Sequence, residues 1–484
     1  MRVHNKIKSR RLRKIALWAS AGFLTFVLAH FFVMRRADRM AWPAGAPGVS
    51  LAIVAPAVTN RLAAPADVGE VMVGFSEADS ALIDEYRLFQ KTGLADGRVF
   101  PLLDARLVDP GARFEAILRF WKHFDGFDAK HGSMPVNTFI GIHAEHAVLA
   151  CYAAHAEHVV EGLPAERAEA RLAVLSNAIK LSNGGGLIGR YAALNTVMVV
   201  VRESIMDPIV FADVAAVTSY VSRVRALELN IGDLGEALRT DLISLHEAIA
   251  LIYGETGMPA APATVARSRR MSRVGEFSVR MLGGSFDDTR DNIDGLFSRL
   301  IRNASEPYSE EGLAKGLPAW CRHEARPPST RDPVGAAVAG AYMKHAVFAS
   351  IVQPSLELEL RAMRIAVALA YLKRLEKAYP VALGALVTAG LLEERDLVDP
   401  FAGDGASQLS YARDGDGWRF YSVGRDQVDG GGEIDAYRTV DPKKQKDSDF
   451  VFTSHERKFR LDAHRATQSE KNTTAEATQV MEEE

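Results

Sequence analysis

Cysteine is nearly absent from this 484-residue chain, with Cys151 and Cys321 its only two. They can form one bridge at most, which excludes a disulfide-built scaffold. An excess of charge is lacking as well. The 58 basic and 61 acidic side chains leave a formal net charge of −3, whereas a nucleic-acid-binding domain carries a strong positive bias. No nucleic-acid partner is expected. No repeat of fixed period occurs, apart from the tetrapeptide His-Ala-Glu-His at 143–146 and 155–158, so a solenoid lacks support. What remains is ordinary globular material, 48% hydrophobic and 25% charged, long enough for about two or three domains with real cores.

One long apolar run stands out. Ile15 to Met34 is 20 residues without a charge, the length at which a helix spans the hydrocarbon core. Seven basic side chains precede it, from Arg2 to Lys14, while Arg35, Arg36 and Arg39 follow with Asp38 among them. The heavier basic cluster belongs in the cytoplasm, which sends the remainder out. The expectation is a single-pass protein of the bacterial inner membrane, its bulk periplasmic, with residues 1–14 cytoplasmic and 15–34 the transmembrane helix. A cleaved secretory signal ending near Ala44-Gly45-Ala46 is the alternative, but its apolar region runs to only roughly 7–15 residues.

Residues 35–75, rich in Ala, Pro, Val and Gly, read as a linker. Helical periodicity then recurs: Ala112 to Phe124, Thr138 to Val160, Glu166 to Leu181, Tyr191 to Ile205, Phe211 to Leu229 and Leu234 to Tyr253. This predicts a helical domain over 76–302. Five prolines mark a connector at 303–333, with at most one short helix near Glu310 to Lys315. Val334 to Lys377 predicts a long helix kinked at Pro354. Beyond Tyr379-Pro380 come a short helix at Val381 to Leu392, a strand at Gln408 to Tyr411, a turn at Asp414 to Gly417 and a strand at Trp418 to Val423. The fold class is therefore mainly α, with a small C-terminal α+β head of antiparallel strands, the head and its long helix occupying 334–453. The polar segment 454–484 reads as a disordered tail.

Tyr379-Pro380, Leu383, Leu386, Asp399-Pro400-Phe401, Tyr411 and Phe420 to Asp426 follow one another in an order that resembles the globular head of the major pseudopilin of type II secretion systems. In that family a helix leads into Tyr-Pro, a Leu-rich helix, an Asp-Pro-aromatic turn, a Tyr-containing hairpin and a calcium-binding segment. The resemblance covers about residues 355–440 and implies a pseudopilin-like head. It also implies Ca²⁺ as a structural ion, with Asp426 and Asp435 as ligands and Asp429 and Glu433 as further candidates. Eight carboxylates from Asp399 to Asp435 face Arg413, Arg419 and Arg425; a hard cation answers such crowding, and Gly430 to Gly432 lets the backbone curl around it. A solvated acidic loop is the competing reading of the same residues. The prepilin processing signal is missing, since Ala21-Gly22-Phe23 is followed by Val27 where that family carries Glu. A layout of membrane helix, helical region, Asp332-Pro333-Val334-Gly335 and head is also loosely similar to uncharacterised membrane-anchored envelope proteins of bacteria.

Elsewhere, His143, His146, Cys151, His155 and His158 spread over about half of a helix circumference. His143, His146, His155 and His158 are the candidate zinc ligands of an alternative reading, a metal-dependent extracytoplasmic enzyme. Their spacing is not His-Glu-x-x-His, and an amphipathic helix with packed or hydrogen-bonded histidines is the favoured account of them. Gly184 to Gly189 satisfies Gly-x-Gly-x-x-Gly but follows a helix pattern instead of a strand, so a helix end and loop is expected. Asp287, Asp288, Asp291 and Asp294 suit the first turns and exposed face of a helix. The first functional expectation is a non-enzymatic envelope protein contacting protein partners, as in a secretion-related assembly. A divergent pilus-like subunit is a further alternative.

Overall fold

A computed structural model describes residues 45, 48–49, 51, 164–184, 186–206, 208–253, 285–309, 311–317, 332–432 and 449–455. Outside them lie the membrane-helix candidate 15–34, the histidines at 143–158, Cys151, Cys321, Glu433, Asp435 and the tail beyond 455. The described chain is mostly helical with a small three-stranded antiparallel sheet. Among the described residues no helix is long and apolar enough to cross a membrane. The chain divides into two compact units, each discontinuous in sequence: 1–51 with 245–300 and 314–347, and 52–244 with 301–313 and 348–484.

The larger unit begins with helices α1 (Pro164–Gly184) and α2 (Gly186–Met206), which pack against each other. A single residue separates them. Gly186 has φ of 60°, a region that favours glycine, and a Cβ there would run into the Asp241 carboxylate. That carboxylate accepts the Leu187 N–H at 3.2 Å, satisfying an open donor of the first turn of α2. The glycine run is thus a helix–helix junction, and Gly186 to Gly189 lie inside α2 where a loop was expected.

Helix α3 (Val214–Leu229) is capped by Asp213, which accepts the Ala216 N–H at 2.8 Å. Val217, Tyr220, Val221 and Val224 form its buried stripe, at the i, i+3, i+4, i+7 spacing of one helix face. Helix α4 (Leu234–Tyr253) follows, then α5 (Phe286–Ala304) and α6 (Pro333–Glu376), whose 44 residues include Pro354. Pro354 has no N–H to donate to the carbonyl four residues back. Within the larger unit α6 is buried almost all round: Leu356, Leu358, Leu360, Met363, Ile365, Val367 and Leu369 have hardly any exposed surface. A helix of that kind belongs at the centre of a core.

After α6 come the short helix α7 (Gly384–Thr388) and strands β1 (Ser410–Asp414), β2 (Gly417–Ser422) and β3 (Phe450–Thr453), ordered β1-β2-β3. The β1–β2 hairpin closes through two residues, with Asp414 opposite Gly417 and Gly415 at φ of 56°. This is the expected hairpin, its strand ends shifted by one to three residues. Strand β3 was not expected; it pairs with β2, placing Phe452 opposite Phe420. Trp418, Phe420 and Phe452 stack at centroid distances of 5.1 and 5.0 Å, and Tyr308, Phe401 and Phe450 continue the aromatic packing at 5.0 and 4.8 Å. Those rings share one core with α1, α2, α3 and α6. Burying each phenylalanine contributes roughly 1.5–3 kcal/mol.

The smaller unit gathers residues 245–253 of α4, 286–300 of α5 and 332–347 around Ile249, Tyr253, Ile293, Leu296, Phe297, Val334 and Met343. Asp332, ahead of α6, is its polar knot. One oxygen accepts from Gly335 N at 2.7 Å and Thr289 Oγ1 at 2.6 Å, and the other from Asn292 Nδ2 at 3.0 Å. The Asp-Pro-Val-Gly segment is therefore a helix cap that ties α6 to α5. Asp287 and Asp288 stand exposed in the first turn of α5, as expected.

Candidate functional site: an acidic loop and a polar cavity

The acidic residues at the C-terminal end perform several different jobs. Asp399 is 1% exposed, and its oxygens accept from Ser422 Oγ at 2.7 Å, Phe401 N at 2.9 Å and Val423 N at 2.9 Å. It staples the Asp-Pro-Phe turn to the end of β2. Burial pushes its carboxyl above the usual range despite those bonds. Asp404, fully exposed, holds its own turn through Ser407 and Ala406, and these bonds lower its pKa to about 2. Tyr411, in the hairpin, donates to the Pro380 carbonyl at 2.9 Å and so ties the Tyr-Pro segment to β1.

Of the expected calcium ligands, Asp426 and Asp429 lie within the described residues. Asp426 Oδ1 accepts from Val428 N at 3.1 Å, and Asp429 Oδ1 accepts from Gly431 N at 2.9 Å and from the Tyr421 hydroxyl at 3.0 Å. Sequence reasoning overlooked Asp449, which accepts from Gly430 N at 3.3 Å and Gly432 N at 2.6 Å. Burial raises the Asp449 carboxyl, and the negative charges of Asp429 and Asp426 raise it further. Asp429 and Asp426 thus stand close enough to Asp449 for their charges to act on it beside a glycine turn, and carboxylate and carbonyl oxygens are the donors that Ca²⁺ takes. Among the described residues no three acidic, histidine or cysteine side chains converge closely enough to hold a metal. A complete site would need Glu433, Asp435 or both.

A second feature was not expected at all. A cavity of about 230 Å³ opens beside Pro354 in α6, walled by the 303–313 segment, Ser350, Gln353, Glu357 and Pro400. Gln353 Nε2 donates to Glu357 Oε1 at 2.9 Å, and Gln353 Oε1 accepts from Arg190. Arg361 approaches the other Glu357 oxygen at 3.4 Å. Burial pushes the Glu357 carboxyl above its usual range; the Gln353 bond and the Arg361 and Arg190 charges oppose this, while Glu228 adds to it. Arg190, 1% exposed, is lowered to about 10 by burial, against the charges of Asp233, Glu236, Asp241 and Glu357.

The contacts continue as a chain of alternating charge that passes through the buried Arg364 and Asp396 and ends at the exposed Glu393. Arg361 pairs with Glu228 at 2.8 Å, Glu228 with Arg364, Arg364 with Asp396 at 3.1 Å, Asp396 with Arg225, and Arg225 with Glu393 at 2.6 Å. Arg202 separately meets Glu359 at 3.3 Å, donates to the Val451 carbonyl at 2.6 Å and lies 4.1 Å over the Phe452 ring. Removing one member of so buried a pair typically costs about 3–5 kcal/mol. No family model, curated protein or solved structure matches this chain. The signal that sequence reading could have used is the charge inside α6. Glu357, Glu359, Arg361 and Arg364 interrupt a largely apolar stretch of the helix, and charges buried there must find partners.

Proposed function

We propose that this chain is an envelope protein of a bacterial inner membrane, anchored by residues 15–34, with a pseudopilin-like head that makes protein contacts in a secretion-related assembly. Ca²⁺ bound around Asp426, Asp429 and Asp449, with Glu433 and Asp435, would brace the acidic loop of that head. The observation that supports the reading is that the residues carrying the resemblance to pseudopilin heads act together. Tyr379-Pro380 follows α6 and is held by the Tyr411 hydroxyl, and the Asp399-Pro400-Phe401 turn is fastened to β2. What bound calcium would supply is charge neutralisation and loop stiffness, with no chemical step. The head's contribution is then a surface held in shape.

Metal content and melting of the purified full chain test this. The expected result is about one calcium per chain and a melting temperature lowered by chelator, with both effects lost in Asp429→Ala. A bound zinc that disappears with His146→Ala would favour the enzymatic reading instead. Identical melts in calcium and chelator would remove the ion from the account.

A further inference from the structure

We infer that the smaller unit is the membrane-proximal part of the molecule, held beside the bilayer by the contact of Gly45 with helix α5. The inference rests on the proposed membrane anchor at 15–34. Segment 35–75 reads as a linker in sequence, yet Gly45 falls in the same compact unit as residues 286–300 of α5. It lies so close to the helix that a Cβ on it would meet Ser298 Oγ at 3.3 Å and Gly295 Cα at 4.0 Å. Ser298 is buried, and its hydroxyl donates to the Gly295 carbonyl at 3.0 Å. A glycine inside a helix is destabilising relative to alanine, and where one stands there it usually has a packing reason. At Gly295 the absent side chain leaves room for a second stretch of backbone. Beyond the contact Gly48 turns the chain at φ of 76°, and Val49 and Leu51 are half-buried. Part of the expected linker thus belongs to the fold.

The contact sets a distance. Gly45 stands 11 positions after Met34, a stretch that spans at most about 40 Å when fully extended. Gly295 and Ser298 can stand little farther than that from the end of the anchor. A free linker over 35–75 has 41 residues and would reach roughly 140 Å. The contact therefore shortens the tether about threefold. A shorter tether concentrates the smaller unit at the membrane surface, where a partner embedded in the same membrane would meet it.

The purified full chain, carrying Cys151→Ser and Cys321→Ser and reconstituted in phosphatidylcholine vesicles that contain an acceptor-labelled lipid, tests both halves of the inference. Gly45→Cys with Ser298→Cys should form a disulfide at least tenfold faster than Gly45→Cys with Asp288→Cys, which lies about 15 Å further along α5. Equal rates would overturn the inference. A second arm leaves Gly45 intact. A fluorophore on Asp291→Cys, exposed on α5, should transfer energy to the lipid acceptor at least half as efficiently as one on Asp38→Cys, just beyond the anchor. Transfer from Asp38→Cys with less than half as much from Asp291→Cys would overturn the inference and leave the anchor standing. No transfer from either position would remove the anchor, and the inference with it.

Discussion

Asp399 and Asp404 stand five positions apart in the same acidic stretch and meet opposite fates. Burial raises one, and a self-capped surface turn lowers the other. The count of carboxylates foretold their crowding but not this division of labour, because whether an aspartate is a staple or a surface charge depends on what the fold brings to it. Asp399→Ala would strand the Phe401 and Val423 amides and the Ser422 hydroxyl. At about 1–3 kcal/mol for a stranded buried group, denaturant unfolding should show a loss of about 3 kcal/mol. The pH dependence has a definite sign. A carboxyl whose pKa is raised in the folded state contributes most below its unfolded value of about 3.9 and less as it ionises. The Asp399→Ala penalty should therefore shrink as pH rises from about 4 toward 7. A constant penalty would mean that the carboxyl titrates normally in the fold.

Helices were the most legible elements. The stretches Glu166 to Leu181, Tyr191 to Ile205, Phe211 to Leu229 and Leu234 to Tyr253 fall within α1 to α4 or overlap them closely, since apolar spacing is a local property. The long helix with its internal Pro354 was legible for the same reason. Strand β3 was not. Phe450, Val451 and Phe452 are only a short apolar run, and their partner strand lies about thirty residues earlier. The Gly184 to Gly189 junction was misjudged because its defining contact, Asp241, sits more than fifty residues downstream. Gly186→Ala pits a Cβ against that carboxylate at a positive φ. Chemical denaturation should show a loss of about 2 kcal/mol or more. The double variant with Asp241→Ala should recover part of it, a coupling of about 0.5–3 kcal/mol. Strict additivity would show that backbone strain alone is responsible.

For the whole molecule, the mainly helical character with a small antiparallel sheet was readable in advance. The packing of that sheet against the helices was not. It rests on Arg202 reaching Val451, Arg364 reaching Asp396 and aromatic rings from four separate segments, contacts spanning tens to hundreds of residues. The cavity escaped sequence reading for the same reason: Leu234, Tyr308 and Glu357 become neighbours of one space only when folded. The pseudopilin-like reading of the head and its calcium both presuppose that the chain beyond residue 34 leaves the cytoplasm. The most direct test is a reporter fused after Glu484 in living bacteria. Alkaline phosphatase, active only outside the cytoplasm, should be active there, while a fluorescent protein that folds only in the cytoplasm stays dark. A bright cytoplasmic fusion with inactive phosphatase would contradict the account.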